Sequence, residues 1–212
     1  MNKELFTRIL SSLLLIPVVF FFIIKGSIFF NFFILAILLI TLYEWHYLSL
    51  KKVYYLPGFL FIFFSFYTVY FLRNEGTLTF FLLILLTCIA TDVGGYIFGK
   101  ILKGPRLTKI SPKKTYAGVL GGFILSIIFI SIYLNNLTFL SLADTDGEIG
   151  IQIICIALSI SFISQVGDLI VSYCKRKAKV KNTGKIIPGH GGMLDRIDGM
   201  IFAFPYIFML LK

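Results

Sequence analysis

The sequence predicts an all-α, polytopic integral membrane protein of about seven transmembrane helices, with a polar site at the cytoplasmic face. Two features of the composition support this prediction: 58% of the 212 residues are hydrophobic, and only 14% are charged. So few charged side chains cannot cover a water-soluble surface, and 24 phenylalanines exceed what one small aqueous core would bury. Soluble enzymes, secreted disulfide scaffolds and disordered tails are therefore excluded.

Seven apolar runs follow one another along the chain and define the candidate spans. They are residues 9–24, 28–43, 56–72, 78–98, 118–134, 151–174 and 200–211. A helix needs about 20 residues to cross a hydrocarbon core of about 30 Å, so the shorter runs are expected to tilt, thin the bilayer or re-enter. Helices are favoured over strands because the runs lack the polar and apolar alternation of membrane barrels. We expect the first run to be a retained helix, since no small-residue cleavage site follows it.

The positive charges lie mainly between alternate spans, which predicts the orientation of the chain. The net charge is +10, from 20 Lys and Arg against 10 Asp and Glu. With the amino terminus inside, 17 of the cations lie in inner segments and three, Lys25, Arg73 and Lys212, lie in outer ones. Because Lys and Arg accumulate on the cytoplasmic side, this distribution predicts a multi-pass protein with an inside amino terminus.

The chain is expected to form one membrane-embedded domain over residues 1–212, because no internal repeat or long Pro- or Ser-rich linker divides it. The amino-terminal helices occupy residues 1–75, and the part expected to carry any chemistry occupies residues 76–212. Two inner loops, residues 100–116 and 175–198, contain 13 of the 20 cations. The three cysteines lie in apolar stretches and give no disulfide framework. Any chemistry is therefore expected in these two loops.

Two aspartates, Asp92 and Asp168, lie within apolar runs. A carboxylate at membrane depth costs about 2.5 to 3.5 kcal/mol on insertion scales and persists where it has a partner or an ion. Asp92 precedes Gly95 and Gly99, whose four-residue separation would let another helix approach closely. Asp92 is either a structural partner of a nearby Lys or a functional group. Function is favoured for Asp168 because a basic, glycine-rich segment follows it.

That segment combines glycines with closely spaced carboxylates. Asp195 and Asp198 are three residues apart, so both carboxylates point the same way if the last helix begins near them. Such hard oxygen ligands suit Mg²⁺, which takes one or two carboxylates and completes its octahedron with water and substrate phosphate. Gly189, Gly191 and Gly192 allow the backbone to turn its N–H groups toward an anion. The alternative is a basic loop with a tight turn, followed by an Asp-capped helix.

Residues 110–118 are a second candidate phosphate site. Ser111, Lys113, Lys114 and Thr115 offer two hydroxyls and two ammonium groups immediately before a span. This set suits a triphosphate. The alternative is a cationic anchor at the inner face of the membrane.

Taken together, these residues resemble the phosphatidate cytidylyltransferases, also called CDP-diacylglycerol synthases. The carboxy-terminal signature of that family reads here as Ser172, Lys175-Arg176, Lys181-Asn182, Gly184, Pro188, His190-Gly191-Gly192, Asp195-Arg196 and Asp198. Four further segments are similar to other elements of the family: residues 111–115, Asp92 with its glycines, residues 167–169 and Glu44-Trp45. The resemblance therefore covers most of the chain. Asn182, Ala117 and Val171 depart from the family, because an acid is common at each of these positions.

The resemblance implies transfer of the cytidylyl group of CTP to phosphatidic acid, giving CDP-diacylglycerol and pyrophosphate with Mg²⁺ as cofactor. The implied catalytic residues are Asp168, Lys175, Arg176, His190, Asp195, Arg196 and Asp198, and the three aspartates among them would bind the metal. The implied substrate-binding residues are Ser111, Lys113, Lys114, Thr115, Ser172, Gly191 and Gly192. His190 is a hydrogen-bond donor to phosphate, a proton carrier or a brace for the turn. Phosphatidate brings its own nucleophilic oxygen, so no protein nucleophile is expected.

The lipid substrate determines where the site should lie. Phosphatidate keeps its acyl chains in the bilayer while CTP arrives from the cytosol, so we expect a cavity at the inner headgroup level, bounded by the fourth, sixth and seventh spans. The family also suggests a homodimer in a bacterial-type inner membrane. Two alternatives stay open: a CTP-dependent enzyme acting on another lipid, such as a CDP-archaeol synthase or polyprenol kinase, and a transporter. A nucleic-acid partner is disfavoured, because few aromatic residues are interleaved with the cations.

Overall fold

The computed structural model describes residues 3–108, 110–141, 147–186 and 191–211, with side chains for residues 13, 15–108, 110–133, 151–186 and 191–211. Helices dominate this part of the chain. They are α1 (Lys3–Lys25), α2 (Ser27–Ser49), α3 (Tyr55–Asn74), α4 (Leu78–Leu102), α5 (Tyr116–Ser141), α6 (Gly147–Lys177), α7 (Leu194–Ile197) and α8 (Met200–Leu210). An isolated antiparallel β-bridge joins Arg106 and Thr115.

These helices confirm the predicted all-α, polytopic membrane protein. The seven apolar runs all correspond to helices. Five helical segments are long and apolar enough to cross a membrane: Ser27–Ser49, Tyr55–Asn74, Leu78–Leu102, Tyr116–Tyr133 and Ile151–Lys177. Leu15–Lys25 and Met200–Leu210 are shorter apolar helical stretches. The count of about seven crossings therefore stays a prediction, as does the division of the chain at residue 75.

Helices α4 and α5 pack along a seam of glycines that brings their backbones together. A Cβ atom on Gly94 would lie 2.4 Å from the carbonyl oxygen of Gly121, and one on Gly118 would lie 2.8 Å from the carbonyl oxygen of Gly95. Small residues at a helix interface allow this approach in membranes, where packing drives helix association. The close approach predicted from Gly95 and Gly99 is confirmed, although an added Cβ would have less room at Gly94 than at either of these positions.

The seam gives a matched pair of stability variants. We expect Gly94→Ala to force α4 and α5 apart and to cost about 1–3 kcal/mol of folding free energy. Gly95→Ala is the control, because its added Cβ would meet its nearest neighbour at 3.6 Å, an ordinary van der Waals distance. Thermal unfolding in detergent measures both. Equal midpoints for the two variants would contradict the described packing.

An apolar cluster holds the ends of α6 and α7 against α2 and α3. Its buried members are Trp45, Leu48, Ile62, Phe66, Val171, Cys174, Leu194 and Ile201. Val171 is 2% exposed, so an acid at this position would place its carboxylate among apolar side chains. The departure from the family at Val171 is therefore a packing feature. Ser172, Lys175 and Asp195 are sequence neighbours of cluster members, and the cluster fixes their backbone.

Candidate active site

A polar cavity of about 410 Å³ lies where α4 and α6 approach their carboxy-terminal ends and where α5 and α7 begin. Its acidic side chains are Asp92, Asp168, Asp195 and Asp198, and its basic ones are Lys113, Lys114, Lys175, Lys181 and Arg196. Ser111 and Thr115 also line it. The two loops predicted to carry the chemistry therefore meet at one end of the helix bundle. Its described walls come from α4, α5, α6 and residues 195–198, so α5 joins the predicted fourth and sixth spans, and no residue of α8, the predicted seventh span, is in the lining.

The loop between α4 and α5 folds back on itself and places Lys114 at the cavity. The Leu107 N–H donates to the Lys114 carbonyl at 2.8 Å, and the Lys114 N–H donates to the Ser111 carbonyl at 3.0 Å. The Thr115 hydroxyl oxygen accepts a hydrogen bond from the Gly118 N–H at 3.1 Å. Thr115 thus caps the amino terminus of α5, which is a preferred role for threonine. Its predicted substrate contact is compatible with this cap, because a hydroxyl also has a proton to donate.

Asp168 on α6 is held on both of its carboxylate oxygens. Lys114 Nζ forms an ion pair with Oδ2 at 2.5 Å, with the two side chains 25% and 27% exposed. The Ser172 hydroxyl donates to Oδ1 at 3.2 Å from one helical turn away. Ser172 was predicted to bind substrate, but it is buried and does not line the cavity. In this structure Ser172 orients Asp168.

Lys175 lies between the two aspartates of the signature. Its Nζ atom is 2.9 Å from Asp195 Oδ1 and 3.8 Å from Asp198 Oδ2, and its side chain is 9% exposed. A buried ammonium is stable only when carboxylates offset its desolvation. Lys175 therefore offsets part of the negative charge of this pair of carboxylates, and Lys113, Lys181 and Arg196 are more exposed cations of the cavity wall.

Asp195 organises the connection between α6 and α7. Its Oδ2 atom accepts hydrogen bonds from the Thr183 N–H at 2.9 Å and from the Gly192 N–H at 3.0 Å. The Gly192 amide, predicted to face a phosphate, is thus engaged by Asp195. Gly191 has a φ of +92°, which favours glycine. Neither glycine lines the cavity, and His190 lies outside the described residues.

Asp168, Asp195 and Asp198 are the three aspartates that the sequence proposes as metal ligands. In the ranges that the structure describes, no group of three or more His, Cys, Asp or Glu side chains is placed to hold a metal ion. Asp195 also holds the α6–α7 connection, because its carboxylate contacts the Lys175 ammonium and the Thr183 and Gly192 amides. Asp168 and Asp198, whose carboxyls lie close enough to interact with each other, are the candidate pair for a metal.

A bound cation would offset the electrostatic cost of burying the Asp198 carboxylate. It is 9% exposed, and its Oδ1 atom accepts from the Gly199 N–H at 3.0 Å. Burial raises the pKa of the Asp198 carboxyl well above its ordinary value, the charge of Asp168 raises it further, and Lys175 lowers it. Two adjacent carboxyls with hard oxygens, one of them buried, suit Mg²⁺.

Arg176 was predicted to be a catalytic residue, but it does not line the cavity. Its Nε atom donates to the Ile110 carbonyl at 3.3 Å, and its Nη1 atom donates to the Val180 carbonyl at 3.2 Å. Arg176 therefore ties the two basic loops together. Its guanidinium binds backbone oxygens of both loops, which fixes their relative position.

Several cavity residues were not assigned to the site from sequence. Lys181 and Asn182 belong to the family signature, and Asp92 was noted as an intramembrane acid, so each had a sequence signal. Gln165 had none, because it is an uncharged residue inside an apolar run. All four line the cavity.

The fold and the cavity define a polytopic membrane protein with a charged cavity at one end of its helix bundle. Residues 51–212 match the model of the cytidylyltransferase family. The chain is 33% identical to a phosphatidate cytidylyltransferase of Rickettsia felis over 216 residues, which cover 99% of this chain and 93% of that protein. A phosphatidate cytidylyltransferase of Rickettsia bellii is also 33% identical, with 99% and 91% covered.

A third relative, a phosphatidate cytidylyltransferase of Staphylococcus aureus, is 39% identical over 140 residues, covering 66% of this chain and 51% of that protein. The chain belongs to the cytidylyltransferase family. This confirms the resemblance drawn from the carboxy-terminal signature. Every residue that lines the cavity lies within the matched range, whereas α1 and α2 precede it.

Proposed function

We propose that this protein transfers the cytidylyl group of CTP to phosphatidic acid, forming CDP-diacylglycerol and pyrophosphate. One observation carries the proposal: a single cavity at the end of an apolar helix bundle combines several cations with carboxylates. Three relatives that match most or two thirds of the chain are named as phosphatidate cytidylyltransferases. Such a cavity gives a dissolved nucleotide and a membrane lipid access to the same groups.

The reaction joins two anions, and the cavity cations lower the cost of that encounter. A phosphomonoester oxygen of phosphatidate attacks the α-phosphorus of CTP; the new P–O bond forms as the bond to the β-phosphate oxygen breaks, and pyrophosphate leaves with that electron pair. Positioning and electrostatics provide most of the catalysis in such transfers. Lys113, Lys181 and Arg196 line the cavity and would hold the phosphates. Lys114 and Lys175 keep the carboxylates neutralised and in place.

Asp168 and Asp198 would hold the Mg²⁺ on this proposal. When bound, the ion would supply positive charge where negative charge develops on the departing pyrophosphate. Asp195 keeps the α6–α7 connection in place, so its substitution affects the same reaction indirectly.

The proposal also gives the protein a location. CTP is a cytosolic nucleotide, and the predicted topology puts 17 of the 20 cations on the side of the amino terminus. We therefore propose that the cavity faces the cytoplasm of a bacterial-type inner membrane, with phosphatidate entering from the inner leaflet. The homodimer stays a prediction.

The test is a substrate panel with the purified full chain in mixed micelles. Labelled CTP, dCTP or ATP is combined with phosphatidic acid, an archaetidic ether-lipid phosphate or a polyprenol, with and without Mg²⁺. We expect a labelled lipid and pyrophosphate from CTP with phosphatidic acid, and only when Mg²⁺ is present. A product formed solely from the ether lipid, or ATP- or CTP-dependent phosphorylation of the polyprenol, would replace the proposal with the corresponding related enzyme.

A further inference from the structure

Glu44 is a buried carboxylate that precedes the family-matched residues. It lies on α2, before residue 51, where the match begins, and it is 2% exposed. Its Oε1 atom accepts from the Met193 N–H at 2.8 Å. Its Oε2 atom accepts from the Leu194 N–H at 2.9 Å and from the Thr183 hydroxyl at 2.8 Å. Hydrogen bonds of this length to a charged acceptor are among the strong ones in proteins.

The three donors explain why a carboxylate is needed at this position. Met193 is the N-cap of α7, and its side chain makes no capping hydrogen bond. The first amides of a helix have no partner within the helix, and Glu44 supplies the missing acceptors from α2. Two glycines leave room for it: a Cβ on Gly184 would lie 2.5 Å from Oε1, and one on Gly192 would lie 2.5 Å from Oε2.

Glu44 and Asp195 both bind the connection between α6 and α7. Thr183 gives its hydroxyl to Glu44 and its N–H to Asp195, while Gly192, next to Met193, also donates to Asp195. Asp195 in turn pairs with Lys175. Lys181 and Asn182 immediately precede Thr183 and line the cavity. A displacement of the Glu44 carboxylate would therefore move cavity-lining side chains that it does not touch.

We propose that Glu44 is a positioning residue for the site, holding the α6–α7 connection in the geometry in which Lys181 and Asn182 meet the triphosphate of the nucleotide. This inference rests on the proposed function and assigns part of the site geometry to an amino-terminal helix. Its effect is on nucleotide binding, because Lys181 and Asn182 line the cavity immediately before Thr183, whose hydroxyl Glu44 binds.

The test compares Glu44→Gln with Glu75→Gln in the full chain purified in detergent. An amide at position 44 keeps the size of the side chain but cannot accept all three hydrogen bonds. We expect the KM for CTP to rise about ten- to hundredfold, as for the loss of a hydrogen bond to a charged group. Glu75 is an exposed residue at the end of α3, so Glu75→Gln controls for the lost charge and should keep the wild-type KM.

A second measurement follows the loop without using activity. Lys179, Lys181 and Lys185 are exposed, and trypsin should cleave after them faster in Glu44→Gln than in the wild type or in Glu75→Gln. Glu44→Asp keeps the charge on a side chain one methylene shorter and should restore part of the KM. If Glu44→Gln does not fold, Thr183→Val replaces it, because that change removes one donor and leaves the carboxylate.

The outcomes separate the inference from the function on which it rests. A wild-type protein that makes no CDP-diacylglycerol overturns the proposed function, and faster cleavage of the variant would then still support the anchoring. With an active wild type, an unchanged KM together with unchanged cleavage overturns the inference. A fall in Vmax alone overturns it as well, because fewer folded molecules lower Vmax without altering KM.

Discussion

Replacing Asp198 with Asn is expected to lower the rate of CTP-dependent product formation by about 10²- to 10³-fold while the protein stays folded. The amide retains the hydrogen bond that the Gly199 N–H donates to Oδ1 at 3.0 Å, so the local backbone is kept. The change removes a negative charge from the pair formed with Asp168. Initial rates across a Mg²⁺ titration should show a higher Mg²⁺ concentration at half-maximal rate.

Asp195→Asn is the matched control, since it makes the same change three residues away. Asp195 binds Lys175, Thr183 and Gly192, and we expect its loss to slow the reaction with no change in the half-maximal Mg²⁺ concentration. The contrast distinguishes a metal ligand from a residue that fixes the loop. The same Mg²⁺ shift in both variants would contradict the assignment and return Asp195 to the ligand set.

Lys175→Met is expected to give the largest loss of stability, about 3–5 kcal/mol. The Lys175 side chain is 9% exposed, and its ammonium is 2.9 Å from Asp195 and 3.8 Å from Asp198. Methionine fills a similar volume but leaves two carboxylates without their shared cation. Chemical or thermal unfolding in detergent, followed alongside product formation, measures the loss.

Two further variants test the cause of that loss. Lys114→Met removes the partner of Asp168, but those side chains are 25% and 27% exposed, so solvent screens the remaining charge and the loss should be smaller. Adding Asp195→Asn to Lys175→Met removes one of the unpaired charges and should recover part of the stability without recovering activity. Equal losses for the two lysines, or no recovery in the double variant, would show that burial of charge is not the cause.

The sequence was sufficient for the class of fold because the bilayer restricts the choices. A backbone in hydrocarbon must satisfy its own hydrogen bonds, so long apolar runs without polar alternation form helices. The same runs appear as α1–α6 and α8. The spacing of Asp195 and Asp198 predicted that both carboxylates point the same way from a helix. The backbone is right-handed helical from α7 through Asp198 and Gly199 to α8, as this prediction requires.

The two basic loops were recognisable from charge density and the family signature, but the partners of their side chains were not. Lys114 and Lys175 were predicted to hold phosphates, and in the structure their ammonium groups pair with Asp168 and Asp195. Arg176 donates hydrogen bonds to loop carbonyls and does not line the cavity. A signature records which residues share a segment, whereas pairing depends on which helix ends meet.

By itself, the amino-acid sequence determined that this protein is a bundle of membrane helices with cations and acids at one end, because hydropathy and charge act along the chain. Only the tertiary structure decided which partners each carboxylate has. Glu44 illustrates the reason: its donors Met193 and Leu194 are 149 and 150 residues away. Contacts at that separation arise when α2 packs against the α6–α7 connection, and no local pattern encodes them.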